Sequence, residues 1–326
     1  MKKIILISLL IGLSTSVFAD NLSKSRVDSH GPISLMADHN HNKNEIMTSY
    51  RFMNMAMAGN IQGNNDITTT AITGGSYMMA PETMSMSMHM IGMMYGVSNH
   101  TTLMIMTSYQ EKEMSMINRM NQTSSSQTNG LSDLKLSALQ TILKSDKQSW
   151  IANFGLSVPI GSIDEANSGS RLPYAMQLGS GTTDFMLGTT YIGYTKYLSY
   201  GSQIASVIRT GKNKNQYRLG NSLSLSTWVA KAINSNLSLS ARLTRSTQSD
   251  ITGSDTTLNT MMSPTTSTNT GNISYTASVG SNIQFTKKPL AGARLAFEIS
   301  KPVLQHAKGI QMKKDYNYTV GYQQLF

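Results

Sequence analysis

The sequence predicts an all-β protein, a transmembrane antiparallel β-barrel of about 12 strands with short periplasmic turns and long extracellular loops. Three observations predict this fold class. Segments in which apolar and polar residues alternate recur along the chain, and a period of two is that of β-strands. The connections between these segments are alternately short and long, as in outer-membrane barrels. The last segment is aromatic and ends in Phe326.

The chain begins with a predicted secretory signal peptide, residues 1–19. Lys2 and Lys3 precede the apolar run from Ile4 to Leu13, and the small residue Ala19 stands at the cleavage position. This arrangement is typical of a removable leader, and the run is too short for a spanning helix. We predict that residues 20–44 form a short N-terminal periplasmic or lumen segment, and that residues 45–326 form the barrel in the outer membrane of a Gram-negative bacterium.

Composition excludes several classes of function. The chain has no cysteine, which excludes disulfides and thiolate sites. It has 27 Lys and Arg against 17 Asp and Glu, a net charge of +10, and these basic residues are dispersed. The charge therefore favours anionic surroundings such as lipopolysaccharide, with no nucleic acid as partner. No phosphate-binding loop is visible, and we predict no cofactor.

The period-two pattern predicts twelve strands, and the connections between them alternate in length. The strands are expected near 45–58, 82–97, 101–118, 131–144, 149–159, 181–197, 200–211, 219–233, 236–250, 272–287, 291–303 and 314–326. The long polar connections are expected near 59–81, 119–130, 160–180, 212–218, 251–271 and 304–313. Because lipid cannot hydrogen-bond a backbone, the sheet must close and turn its apolar side chains outward.

Alternation then assigns the two faces of the wall. Leu237, Leu239, Leu295, Phe297 and Ile299 are expected to face lipid. The other parity places three charged residues in the lumen: Arg242, Arg294 and Glu298. The aromatic residues of the last strand, Tyr316, Tyr318 and Tyr322, are expected on the outward face, and a terminal Phe326 is typical of chains that the barrel assembly machinery recognises.

Methionine is concentrated in the first third of the barrel, where 18 of the 24 methionines lie between Met36 and Met120. Arg51 shares a face with three of them, and an arginine facing mid-membrane lipid costs about 2–4 kcal/mol, so this face should be luminal. The stretch "MSMSMHM" at 84–90 would put four thioethers on one side of a strand. The methionines predicted to line the lumen are Met53, Met55, Met57, Met84, Met86, Met88, Met90, Met104 and Met106.

Three interpretations of this methionine-rich face stay open. Methionine is an adaptable filler for a narrow barrel. It also makes a polarizable wall along which apolar or aromatic solutes could slide. Thioethers are ligands for Cu(I) or Ag(I), and a metal set would comprise Met84, Met86, Met88 and Met90, with His39 and His41 as harder ligands.

The function predicted from these features is passive passage of small, apolar or aromatic, solutes through an outer-membrane channel. The alternatives are a Met- and His-rich barrel that handles copper or silver, a structural barrel, and an outer-membrane hydrolase in which His89 pairs with a serine. Catalysis needs a nucleophile, a base and an orienting partner within hydrogen-bond reach. No such set is evident, and we predict that the protein is not an enzyme.

Five stretches, in order along the chain, carry a resemblance to a known family. They are "GPISLMADHNHNKNEIMTSYRFMNM" (31–55), "MSMSMHMIGMMYG" (84–96), "LSDLKLSAL" (131–139), "LPYAMQLGSGTTD" (172–184) and "YRLGNSL" (217–223). Together they resemble the outer-membrane family labelled transporter, or MetA-pathway of phenol degradation. The resemblance covers nearly the whole chain after the leader. It implies a membrane barrel that passes small molecules, and it supplies no catalytic residues.

Overall fold

The computed structural model describes residues 26–326, so the predicted signal peptide lies outside the described residues. Alternating segments form strands because each buries one face in the lumen. The strands are β1 (Ile46–Gly63), β2 (Asn65–Ile67), β3 (Met79–Gly96), β4 (Thr101–Asn118), β5 (Thr123–Leu131), β6 (Leu134–Lys144), β7 (Gln148–Val158), β8 (Ala166–Asn167), β9 (Ser170–Arg171), β10 (Asp184–Tyr194), β11 (Ser199–Ile208), β12 (Tyr217–Arg218), β13 (Ser222–Ala232), β14 (Leu237–Gln248), β15 (Thr252–Gly253), β16 (Asn272–Gln284) and β17 (Ala293–Leu325).

Helical structure in the described chain is limited to short pieces. One α-helix, α1, covers Thr69–Gly74, and 3-10 turns cover Tyr174–Met176, Ser263–Thr265 and Ser267–Asn269. No helix within residues 26–326 is long and apolar enough to cross a membrane. These pieces lie in the long connections between strands.

The long strands close into one antiparallel barrel. Each pairs with its neighbours in chain order, and β17 pairs with both β16 and β1. The first part of β17 pairs with β16 as far as Ala307, whereas the part from Gln311 onward pairs with β1. Gln305 and Lys314 exchange hydrogen bonds of 2.8 and 3.0 Å, so β17 folds back on itself between these residues.

The strand number depends on how two elements are counted. β5 and β6 pair with the outer and inner parts of β4, so together they form one strand of the wall. Counted as one element, β17 gives a barrel of about eleven strands; counted as two arms, it gives twelve. The predicted closed antiparallel barrel is confirmed.

The outer surface is apolar. Leu239, Leu295, Phe297 and Ile299 are exposed there, as alternation predicts for residues that face lipid. Tyr316 and Tyr322 of the last strand are also exposed on this surface. A closed sheet leaves no unpaired edge, and its apolar exterior suits a bilayer.

Two of the predicted loops are wrong. Residues 119–130 were expected to form a long connection, but β5 begins at Thr123 and pairs with β4 from Ile117 onward. The chain does reverse within the predicted loop 304–313, but the two arms of β17 extend into it and leave a short reversal in place of a long loop. The first stretch is polar on both faces, and the second mixes apolar and polar residues on both faces, so neither carries the sustained apolar alternation that marks a membrane strand. Cross-strand hydrogen bonds satisfy their backbones all the same.

Candidate functional site in the barrel lumen

The lumen of the barrel has a wall of methionines, built by the register of β1, β3 and β4. Between β1 and β3, the directly opposed pairs are Met53 with Met88, Met55 with Met86, and Met57 with Met84. On the other side of β3, Met84 is opposed by Met114 of β4. Directly opposed residues share a face of the sheet. We call this surface, formed by Met53, Met55, Met57, Met84, Met86, Met88, Met90 and Met114, the methionine wall.

The structure puts the residues predicted to line the lumen on the inward face. Met57, Met84, Met86, Met88 and Met90 line a lumen cavity of about 620 Å³, here called the main cavity, and Met104, Met106 and Arg242 line a second cavity of about 290 Å³. Arg51, Arg294 and Glu298 are buried inside the barrel. Met53 and Met55 face inward by their pairing with Met88 and Met86.

The outer end of the lumen is closed by loops that pack on the methionine wall. Leu172 and Met176, from the connection between β7 and β10, and Met262, from the connection between β15 and β16, form one buried cluster with Met84 and Met114. Thioether side chains pack well in such irregular gaps. We call this cover the lid, and it closes the lumen at the end that carries the long connections.

Hydrogen bonds from the barrel wall hold the lid in place. The Lys112 amine donates to the carbonyls of Ala175 (2.9 Å) and Gln177 (2.5 Å). The Asp133 carboxylate, buried at the break between β5 and β6, accepts from the backbone N–H of Gly161 (3.1 Å) and of Ser180 (2.9 Å). Both groups satisfy backbone atoms of a connection that has little regular structure.

The inner end of the lumen is filled by the N-terminal segment. Residues 26–41, here called the plug, enter from the end with the short turns, where Arg26 donates to the Thr195 carbonyl at 2.6 Å. Ile33 lies directly above Gly321, where a Cβ would come within 2.7 Å of the Ile33 side chain. A residue larger than glycine at 321 would therefore require the Ile33 side chain to move.

Polar residues on the wall opposite the methionines bind the plug backbone. Arg294 donates to the Gly31 carbonyl at 2.8 Å, and the Ser34 N–H donates to the Glu298 carboxylate at 3.1 Å. Glu298 also accepts from Arg242, in a buried ion pair. The side chains of Ser199, Gln203 and Ser238 also donate hydrogen bonds to plug carbonyls, at 2.6, 2.7 and 3.1 Å.

Three histidines and an aspartate meet inside the plug. The possible ligand atoms of His30, Asp38 and His39 lie within 4.8 Å of one another, and the His41 ring is 4.9 Å from that of His39. Burial lowers the pKa of His30 well below its usual range and that of His41 to about 4. Burial alone would raise the pKa of Asp38, but His39, which bonds its carboxylate at 2.9 Å, holds that pKa well below its usual range.

The imidazoles in this cluster have nitrogen atoms without a partner. His30 Nδ1, His39 Nε2 and His41 Nε2 are buried and form no hydrogen bond within residues 26–326. Neutral imidazole nitrogens of this kind are potential metal ligands. His39 and His41 were expected to join Met84 to Met90 in one ligand set, but the structure does not bring them together. Met84 packs with Leu172 under the lid, whereas His41 lines a small cavity at the inner end, beside Leu325.

The Ser–His pair considered for a hydrolase is not formed by His89. Its Nδ1 lies 2.7 Å from the Tyr50 hydroxyl, and Tyr50 is exposed on the outer face of the barrel. The ring also packs against Phe52 on that face. His89 is therefore directed away from the lumen.

Sequence reasoning missed several charged residues that line the main cavity: Lys112, Lys135, Arg209 and Lys314, with Asp133. The alternation of inward and outward residues along a strand would have identified two of them. Lys112 shares the even-numbered face of β4 with Met104 and Met106, and Lys135 alternates with the outward Leu136. Lys314 could not be found in this way, because an extra residue in β17 shifts the register between Ala56 and Met57.

Comparisons with known proteins identify the fold. No family model matches the chain, and no curated protein matches it either. The outer-membrane channel of the COG4313 group from Pseudomonas putida F1 is similar in structure, with a TM-score of 0.64 and 12% sequence identity over 89% of this chain and 98% of that chain. The fold is that of an outer-membrane channel. This result confirms the predicted fold class and agrees with the predicted location in the outer membrane.

Two further structures align less well. A FadL homologue from Pseudomonas aeruginosa gives a TM-score of 0.42 at 11% identity, over 94% of this chain and 98% of that chain. The translocator domain of the autotransporter NalP from Neisseria meningitidis gives 0.45 at 10% identity, over 88% of this chain and 90% of that chain. Scores this low do not establish a common strand arrangement.

Proposed function

We propose that the protein is a passive outer-membrane channel for small apolar or aromatic solutes, which pass along the methionine wall. The observation that carries the proposal is the cavity of about 620 Å³ that this wall and the lid line together. Its volume is in the range that holds a drug-sized ligand. Passage requires the lid and the plug to move, because each closes one end of the lumen.

Family resemblance supports the same function. The stretch at 172–184, which resembles the MetA-pathway family, contributes Leu172 and Met176 to the lid, and the similar structure from Pseudomonas putida is itself an outer-membrane channel. We infer that the chain is a distant relative of that family. The partners proposed with this function are lipopolysaccharide around the barrel and the assembly machinery that reads Phe326.

Solute uptake into liposomes tests the proposal. The purified full chain is reconstituted, and entry of a neutral aromatic probe such as 4-phenylbutan-1-ol is compared with entry of glucose. We expect the aromatic probe to enter faster than it enters protein-free liposomes, with no gain for glucose. Equal gains for both solutes would instead indicate a non-selective pore, and no gain for either would favour a structural barrel.

A cation site in the plug is the second candidate function. It is favoured by the unpartnered nitrogens of His30, His39 and His41 beside the Asp38 carboxylate. Imidazole with carboxylate suits Zn²⁺ or Cu²⁺ better than Cu(I). This candidate ranks second because the guanidinium of Arg294, which donates to Gly31, already places a positive charge close to the cluster.

Calorimetric titration separates the two metal hypotheses. If the plug binds Zn²⁺ or Cu²⁺, His39→Asn should abolish the heat of binding, whereas His100→Asn, an exposed matched control, should not. If the methionine wall instead binds Cu(I), replacing Met84, Met86, Met88 and Met90 together with leucine should abolish that binding. We expect no tight Cu(I) site, and a stoichiometric submicromolar one in the wild type would contradict us.

A further inference from the structure

The charges around the main cavity are unbalanced. Four basic side chains line it, those of Lys112, Lys135, Arg209 and Lys314, whereas Asp133 is the single carboxylate in the lining. Arg209 forms an ion pair with Asp184, and Asp133 already accepts three hydrogen bonds from the lid. Within residues 26–326, none of the three lysines lies within ion-pair distance of a carboxylate.

Two of these lysines also lack hydrogen-bond partners. Lys112 is held by the two lid carbonyls, but the amines of Lys135 and Lys314 donate to no atom of residues 26–326. The Lys135 side chain is exposed, and it is exposed to the cavity rather than to the outer surface. Ammonium groups that face the cavity without a partner leave their N–H donors free for a bound anion.

Lys112 and Lys314 are direct neighbours of the methionine wall, and Lys135 is opposed to Met106 of β4. In the β1–β17 pairing Lys314 is opposed to Met57, and in the β3–β4 pairing Lys112 is opposed to Met86. Opposed side chains have Cβ atoms about 4.5–5.5 Å apart, so lysine side chains border the methionine wall on both sides. A ligand that contacts the methionines along its length can therefore reach an ammonium group with one end.

We propose that the cavity selects amphipathic anions, molecules with an apolar or aromatic body and one carboxylate, and that Lys135 and Lys314 bind the carboxylate. This inference rests on the proposed function and narrows its solute class. The methionine wall contacts the apolar body of the ligand without requiring one particular orientation, since thioethers adapt to varied shapes. The amines supply charge-assisted hydrogen bonds, which are stronger than neutral ones.

A matched pair of probes tests the inference on the full chain in nanodiscs. 4-Phenylbutyrate and 4-phenylbutan-1-ol have the same aromatic body and differ in the charged end. By calorimetry we expect wild-type protein to bind the carboxylate at least about tenfold more tightly, which corresponds to about 1.4 kcal/mol. The preference should shrink as salt concentration rises, because exposed charges are screened.

Variants assign the preference to the two lysines. Lys135→Met combined with Lys314→Met should remove the preference and leave alcohol binding unchanged, whereas the arginine versions should keep it. The control is Lys147→Met combined with Lys196→Met, which removes the same charge from exposed periplasmic turns. Equal binding of both probes to wild type would overturn the inference and leave the proposed function intact. Binding of neither probe would remove the proposed function, and the inference with it.

Discussion

The two sides of the lumen differ in chemistry: one is lined by thioethers, and the other carries polar and charged groups that bind the plug. On the methionine wall, opposed pairs such as Met55 with Met86 present thioethers that form no specific hydrogen bonds. On the other side, Glu298 and Arg294 are buried, Arg242 is half-buried, and all three are bound to each other or to the plug. Buried polar groups fix one arrangement because each must find its partner, whereas a thioether surface accepts many arrangements.

The difference indicates which parts of the lumen are fixed and which are adaptable. The polar side holds the plug by its backbone, so the plug has one position and register. The methionine side meets the cavity and the lid, where shape must change if a solute is to pass. Breaking the polar side should therefore cost stability and open the inner end, whereas altering the methionine side should affect mainly the lid.

The largest effect is expected for Glu298→Ala. Glu298 is 1% exposed and accepts from Arg242 and from the Ser34 N–H. Removing one partner of a buried ion pair typically costs about 3–5 kcal/mol, because the other charge is left unpaired. We expect a lower free energy of unfolding in urea, measured by tryptophan fluorescence in lipid vesicles, and a higher single-channel conductance as the plug loosens.

The matched control for this variant is Glu113→Ala, at an exposed position of β4. Its stability and conductance should equal those of wild type. A stable Glu298→Ala protein with unchanged conductance would show that the polar side does not hold the plug.

These walls were predictable to different degrees from the sequence. Alternation assigned Met84 and Glu298 to the inward face because a regular strand has a period of two. It failed at Lys314, since Asp315 is an extra residue in β17 and one inserted residue reverses the face of everything beyond it. The plug was also beyond reach in detail, because a segment without periodicity gives no signal for contacts such as that of Arg294 with Gly31.

A smaller effect is expected for Met114→Ala, on the methionine side. Met114 is 2% exposed and packs with Leu172 and Met176 under the lid. A Met→Ala change in a packed core costs about 2–5 kcal/mol, and the lower part of that range is expected because the lid can settle into the space. Met114→Leu, the control, conserves volume and should cost less than about 1.5 kcal/mol.

The readout for this pair is protease cleavage of the lid in intact cells, at 159–183 or 254–271. Faster cleavage is expected for the alanine variant alone. If the leucine variant were cleaved equally fast, then the sulfur itself, rather than the packed volume, would be holding the lid.

The smallest effect is expected for Ser199→Ala, on the polar side. The Ser199 hydroxyl, fully buried, donates to the Asp28 carbonyl at 2.6 Å. Loss of one neutral hydrogen bond costs about 0.5–1.5 kcal/mol, and the other plug contacts stay in place. We expect a small loss of stability in urea and unchanged conductance, with Ser235→Ala in an exposed turn as the control. A conductance rise as large as that of Glu298→Ala would mean that loss of any one hydrogen bond releases the plug. The bonds that hold the plug would then act cooperatively rather than independently.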